Sequence, residues 1–143
     1  MSTKLTLGVA ILALSGCAIA EYKSKEELPD LPSMSVIEDV ATRAYGRPAP
    51  RDLKIVKVGQ AEIIGRGDWD HYACVTTTEA TVGNVFNNSG VLLRREGDPY
   101  TQSWFLHLRK YDTGWGSGFI RRIYSTGTRV GSRNASELCP VAR

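Results

Sequence analysis

The sequence predicts an α+β domain, with one N-terminal helix packed on a five- to six-stranded antiparallel meander sheet. Three observations predict it. Apolar residues over 35–45 recur at helical spacing. From Leu53 onward they alternate with polar ones, as in half-buried strands. The segments between those runs are short and rich in Gly, Asn and Asp, which supports hairpin connections. An all-β barrel with the helix as a plug is the alternative arrangement. The chain has 143 residues, 42% hydrophobic and 23% charged, enough for one packed core and too apolar for wholesale disorder. A net charge of +3 without a supporting motif does not point to nucleic acid.

The helix is expected from Ser35, because Ser35-Val36-Ile37-Glu38 forms a capping box. Val36, Ile37, Val40, Ala41 and Ala44 then share a face, and Gly46, Pro48 and Pro50 end it. Leu53 to Val58 reads as a strand that Ala61 to Ile64 extends or pairs with, and Gly65 to Asp68 as a turn. Tyr72 to Thr78 is a β-branched run continuing toward Val82. Gly83-Asn84 and Asn87 to Gly90 turn the chain, Val91 to Arg95 is a strand, and Glu96 to Pro99 turns it again. Ser103 to Tyr111 alternates Trp104, Leu106 and Leu108 against Phe105, His107 and Arg109. This places His107 and Arg109 on an outer, solvent-facing side. Asp112 to Gly118 reads as a hairpin loop with Trp115 exposed near its tip, and Phe119 to Tyr124 as the returning strand. The tail from Ser125 is rich in Gly, Ser and Arg.

The first residues have a different character. Lys4 precedes an apolar run from Leu5 to Leu14, about half the roughly 20 residues a spanning helix needs. This is the layout of an export signal. Its end, Leu14-Ser15-Gly16-Cys17, resembles the lipobox of bacterial lipoproteins: a Leu, two small residues and a Cys. The resemblance covers about 20 residues and implies cleavage before Cys17 and diacylglyceryl transfer to its thiol. It also implies outer-membrane sorting facing the periplasm, because Ala18 replaces the Asp of inner-membrane retention. The domains are then 1–16 as a removable signal, 17–32 as lipidated Cys and polar spacer, and 33–143 as the α+β domain.

With Cys17 lipidated, Cys74 and Cys139 remain from the three cysteines, an even pair in an oxidising compartment. The expectation is a structural disulfide. The absence of C-x-x-C argues against a redox or zinc role.

No catalytic constellation stands out, so no enzyme, cofactor, metal or small-molecule substrate is expected. Asp68 and Asp70 beside His71 could join a metal site, but a turn entering a strand explains the same residues. Ser117, His107 and Asp112 could be drawn as a triad, yet G-x-S-x-G is missing. Gly114 to Gly118 has strand-like flanks, unlike a phosphate-binding loop. The remaining clue is charge. From Cys17 to Ser89 the chain nets −3, and from Gly90 to Arg143 it nets +5. The basic residues come in pairs, including Arg94-Arg95, Arg109-Lys110 and Arg121-Arg122. With the aromatic Trp115 they are the candidate surface for an envelope protein or an anionic polymer. Charged sheet faces also simply keep sheets soluble. The expected role is a noncatalytic accessory subunit or binding domain, tethered to the membrane by lipid. Lipoproteins serving the outer-membrane barrel assembly machinery are similar in size and layout. The alternative is an inhibitor or exclusion lipoprotein acting on a lysozyme-like enzyme or on a phage or plasmid entry step.

Overall fold

In the computed structural model, which describes residues 24–46, 50, 52–65, 67–124 and 127–141, the helix α1 spans Met34–Tyr45. It starts one residue before the expected Ser35. Ser33 is the cap, its Oγ accepting from the Val36 N–H at 3.4 Å, so the Ser35–Glu38 box is not the one used. Gly46 ends the helix at φ 97°, and its N–H donates to the Thr42 carbonyl.

Among the described residues eight strands follow: β1 (Asp52–Gly65), β2 (Asp68–Ala80), β3 (Val85–Phe86), β4 (Leu92–Arg94), β5 (Pro99–Tyr111), β6 (Gly114–Ile123), β7 (Arg129–Val130) and β8 (Arg133–Asn134). The short helix α2, Ala135–Leu138, follows β8. The expected α+β class holds, with α1 packed on one antiparallel sheet. Its strands are four, in the order β1-β2-β5-β6, and the short strands form two separate hairpins, β3-β4 and β7-β8. The count falls to four because the expected strand Val91–Arg95 stands apart in the β3–β4 hairpin, and because 61–64 extends 53–58 as one continuous β1, bent at bulges between Ile55 and Lys57 and between Glu62 and Gly65. The anticipated loop 112–118 shrinks likewise. Asp112-Thr113 suffices as a turn, and β6 begins at Gly114.

Alternating residues face two covers. On one face α1 lays Ile37, Val40 and Ala41 against Ala73, Val75, Leu106 and Leu108. On the other, the chain after β6 returns as β7, β8 and α2 and packs Val130, Ala135 and Leu138 onto Ile63, Tyr72 and Phe105. Cys74 and Cys139 join tail to sheet in a disulfide with Cα atoms 5.5 Å apart. The Lys57 ammonium holds the same corner by donating to the Leu138 carbonyl at 3.0 Å. Tyr72 reaches that carbonyl at 3.4 Å by lying across Gly59, where a Cβ would stand 2.6 Å from the phenol oxygen.

This second cover overturns the expectation for His107. The face carrying Phe105, His107 and Arg109 holds the second core, and His107, with Phe119 against its ring, is 2% exposed. The sheet is covered on both sides at its centre. Phe105, Leu106 and Leu108 are all completely buried, each stabilising by roughly 1.5–3 kcal/mol through removal of apolar area from water.

Candidate functional site

Three features rise above the packed core: a projecting arm, a buried charged cluster, and an N-terminal segment laid against the sheet.

The arm is the chain between β2 and β5, built around the β3–β4 hairpin. Its base is Thr81, whose N–H and hydroxyl both donate to the Asp98 carbonyl, at 2.8 and 2.7 Å. The Gly97 N–H returns a bond to the Thr81 carbonyl. Midway, Asn84 Oδ1 accepts from Glu96 N–H, and Asp98 Oδ2 accepts from Arg95 N–H. At the tip Asn87 Oδ1 accepts from the N–H groups of Ser89 and Val91, both at 2.9 Å. Gly90 (φ 79°) supplies the left-handed turn that Asn87–Gly90 needs. The backbone is therefore fixed by directed bonds, although the arm has almost no buried core. Its apolar side chains face water: Val82, Phe86, Val91, Leu92 and Leu93 are 40–94% exposed. Single exposed apolar residues are ordinary; five on one short projection, with Leu92 and Leu93 turned to opposite sides by the pleat, make it the candidate contact surface. Arg94 lies at the arm's root with its guanidinium 4.4 Å from the Tyr100 ring centroid, and Arg95 is exposed beside it.

The charged cluster is Asp70, His107 and Arg109, all on the tail-covered face. Asp70 is completely buried; its Oδ2 is 3.0 Å from His107 Nε2 and its Oδ1 is 3.2 Å from Arg109 Nε. The three side chains meet within ion-pair distance but are poorly aligned as hydrogen bonds. The other edge of the imidazole faces Gly118, at a register shift in β6. A Cβ there would lie 2.3 Å from His107 Nδ1. Phe119 covers the ring at 4.9 Å between centroids.

This arrangement separates the residues considered for chemistry. Asp70 and His71 are neighbours on β2 and point to opposite faces, so they do not converge on a metal. Among the described residues no three metal-ligating side chains gather. Ser117 pairs in register with Leu108, on the helix face, while His107 lies under the tail and Asp112 is in the exposed turn. The triad is not assembled.

Nor do the basic residues form one surface. Arg94 and Arg95 belong to the arm, and Arg109 is drawn in to Asp70. Arg121 donates to the Arg129 carbonyl and lies 5.4 Å from the Phe119 ring, while Arg122, on the opposite face, lies over Tyr124. Consecutive residues on a strand face opposite ways, so basic pairs are split by the pleat.

Trp115 is corrected as well. It is not at a hairpin tip but inside β6, half-buried in the helix-side cluster and edge-on to His71 at 5.7 Å. Its carbonyl accepts from Arg43 at 3.3 Å, and the Ser117 carbonyl accepts from the Tyr111 hydroxyl at the same distance. These side chains blunt the edge of β6 against strand addition. Trp69 lies in β2.

The N-terminal segment departs from a free spacer. Ser24 N–H donates to Glu27 Oε2 at 3.3 Å around a 3-10 turn, Lys25–Glu27, that packs on β2. The Lys25 ammonium sits 5.8 Å from the Trp69 ring centroid. Buried His71 donates from Nε2 to the Pro29 carbonyl at 2.7 Å. Between segment and sheet lies an open cavity of about 310 Å³ lined by Lys25, Leu31, Val58, Gly59, Gln60 and His71. The signal and the lipobox Cys17 lie outside the described residues. Among the described residues no helix is long and apolar enough to cross a membrane. Comparisons with protein-family models, with curated proteins and with solved structures find no match to this chain.

Proposed function

We propose that this chain is an outer-membrane lipoprotein, anchored through Cys17 and facing the periplasm, whose domain is a noncatalytic binding module for another envelope protein. The observation that carries the binding role is the β3–β4 arm. Its backbone is ordered by its own side chains and turns while Phe86, Val91, Leu92 and Leu93 stay in water. A preordered apolar projection loses little conformational freedom on docking, which favours affinity. The anchor rests on the lipobox and the polar residues after it.

A photo-crosslinking residue at position 86 or 92 tests the binding role in cells making the native lipoprotein. The same adduct is expected from both positions, none from exposed Lys54, and loss of the adduct with Leu92→Glu. Adducts absent from the arm, or equal from all three positions, would remove the reading. For the anchor, Cys17→Ser should accumulate as uncleaved, unlipidated precursor; normal processing of that variant would dismiss it.

The arm's narrow ribbon form also favours a second reading, an inhibitor that enters the cleft of a lysozyme-like enzyme. Purified domain would then slow such an enzyme, and Leu92→Glu would not.

A further inference from the structure

We propose that Ser24–Pro32 is a strut that fixes how the domain stands on the bilayer, with the β1–β2 turn end toward the lipid and the β3–β4 arm pointing away. The inference rests on lipidation at Cys17 and goes beyond it to orientation.

The strut is attached at one end of the sheet. Its contacts are Trp69 and His71, at the start of β2, and the Pro29 carbonyl is bound there. The chain available between lipid and domain is then not the sixteen-residue stretch to Ser33. It is the seven steps from Cys17 to Ser24, a reach of at most about 25 Å. The arm leaves from the other end of β2, after Ala80. The strand has 13 residues, which at roughly 3.3 Å each separates the two ends by about 40 Å. A tether shorter than the sheet, joined to one end of it, biases that end toward the membrane.

Two further observations agree. The anchored end mixes exposed Lys25 and Lys110 with exposed Glu26, Glu27, Asp30 and Asp112, so it offers an anionic lipid surface no net attraction. Tether geometry rather than adhesion therefore sets the orientation. The arm's outermost turn, Asn87–Gly90, exposes Asn87, Asn88 and Ser89, polar side chains that would lose their water on entering a bilayer.

The test couples the mature chain chemically, through Cys17, to a maleimide phospholipid in vesicles of phosphatidylcholine with or without phosphatidylglycerol. Coupling in vitro makes the outcome independent of whether cells lipidate Cys17, so failure of that reading remains separately visible by mass spectrometry of the cellular protein. A dye is placed by a ketone-bearing residue at 112 or at 93, and energy transfer to headgroup acceptors is read. Transfer several-fold stronger from 112 than from 93, in both lipid mixtures, is expected. Equal transfer, or stronger transfer from 93, overturns the proposal. A Gly/Ser insertion between Lys23 and Ser24 leaves the fold untouched and should shrink the ratio toward one, as should Trp69→Ala with His71→Gln. A ratio unchanged by the insertion would show that the tether does not set the orientation and would equally overturn it.

Discussion

Asp70 Oδ2 lies 3.0 Å from His107 Nε2, joining the two central strands of the sheet beneath the disulfide-bonded tail. Arg109 approaches the other carboxylate oxygen at 3.2 Å, so one buried anion serves two basic groups. Such clusters are costly to desolvate and costlier to break, because the surviving charge keeps its burial and loses its partner.

Asp70→Asn keeps the shape and removes the charge. It should destabilise the domain by about 3 kcal/mol, the size found when one member of a buried pair is removed. Arg109→Met in the same chain should recover part of that loss. Urea unfolding of the single and double variants gives the coupling directly. Strict additivity would mean that the two side chains do not support each other.

Gly118→Ala tests the notch that admits the imidazole. The new Cβ would stand 2.3 Å from His107 Nδ1, so ring or strand must shift. The expected cost is about 1–3 kcal/mol, typical of overpacking. Combining it with His107→Ala should relieve the clash, and Gly118→Ala should then cost markedly less than in the native background. An equal thermal shift in both backgrounds would place the strain elsewhere.

Much of the fold was legible in the chain because period and punctuation agree over long stretches. The helix up to Gly46, the Ser103–Tyr111 strand and the Cys74–Cys139 link follow from local pattern and cysteine pairing. His107 went astray because alternation shows which residues share a face, not whether that face is wet. The clue was present: Phe105 shares its face with His107, and so does Cys74, whose partner lies in the tail. A tail tied to that face must cover it. Ser33 displaced Ser35 as the cap because two serines in tandem offer similar chemistry, and local pattern does not rank them. The arm was hidden for another reason. Val91 to Arg95 reads as one more strand of the sheet, and only the topology reveals that β3-β4 stands apart from it.

Reduction of Cys74–Cys139 should loosen the tail first. The bond closes 65 residues of sequence separation, worth about 4 kcal/mol in the chain-entropy account. The tail's other holds on the sheet are Val130, Ala135 and Leu138 in the core, the bonds from Lys57 and Tyr72 to the Leu138 carbonyl, and the bond from Arg121 to the Arg129 carbonyl. Hydrogen exchange on oxidised and reduced protein should show earlier loss of protection at Val130 and Cys139 than at Leu106 and Leu108 on the helix face. Uniform loss across the domain would mean that the tail and sheet open as one unit. Peptide mapping without reductant should recover the two cysteines linked.

Tyr45 gives the alkaline limit a specific cause. Its hydroxyl donates to the Glu79 carboxylate at the end of α1, edge-on to Trp104 at 5.2 Å. Burial first, then the bond to Glu79 and its negative charge, push the phenol from 10.0 up to about 12. An unfolded chain releases this proton near 10.0, while the folded one holds it to about 12. Across that window the folded state binds more protons, so stability from this group is complete below the unfolded value and lost as pH rises through the folded one. Tyr45→Phe cannot ionise. It should be less stable than the native protein near neutrality by about 1 kcal/mol, the worth of the lost hydrogen bond. The deficit should shrink as pH climbs, because only the native chain loses the contribution. Denaturant midpoints for both proteins across the alkaline range measure this, and a constant gap would show that the Tyr45–Glu79 contact does not link folding to the phenol proton.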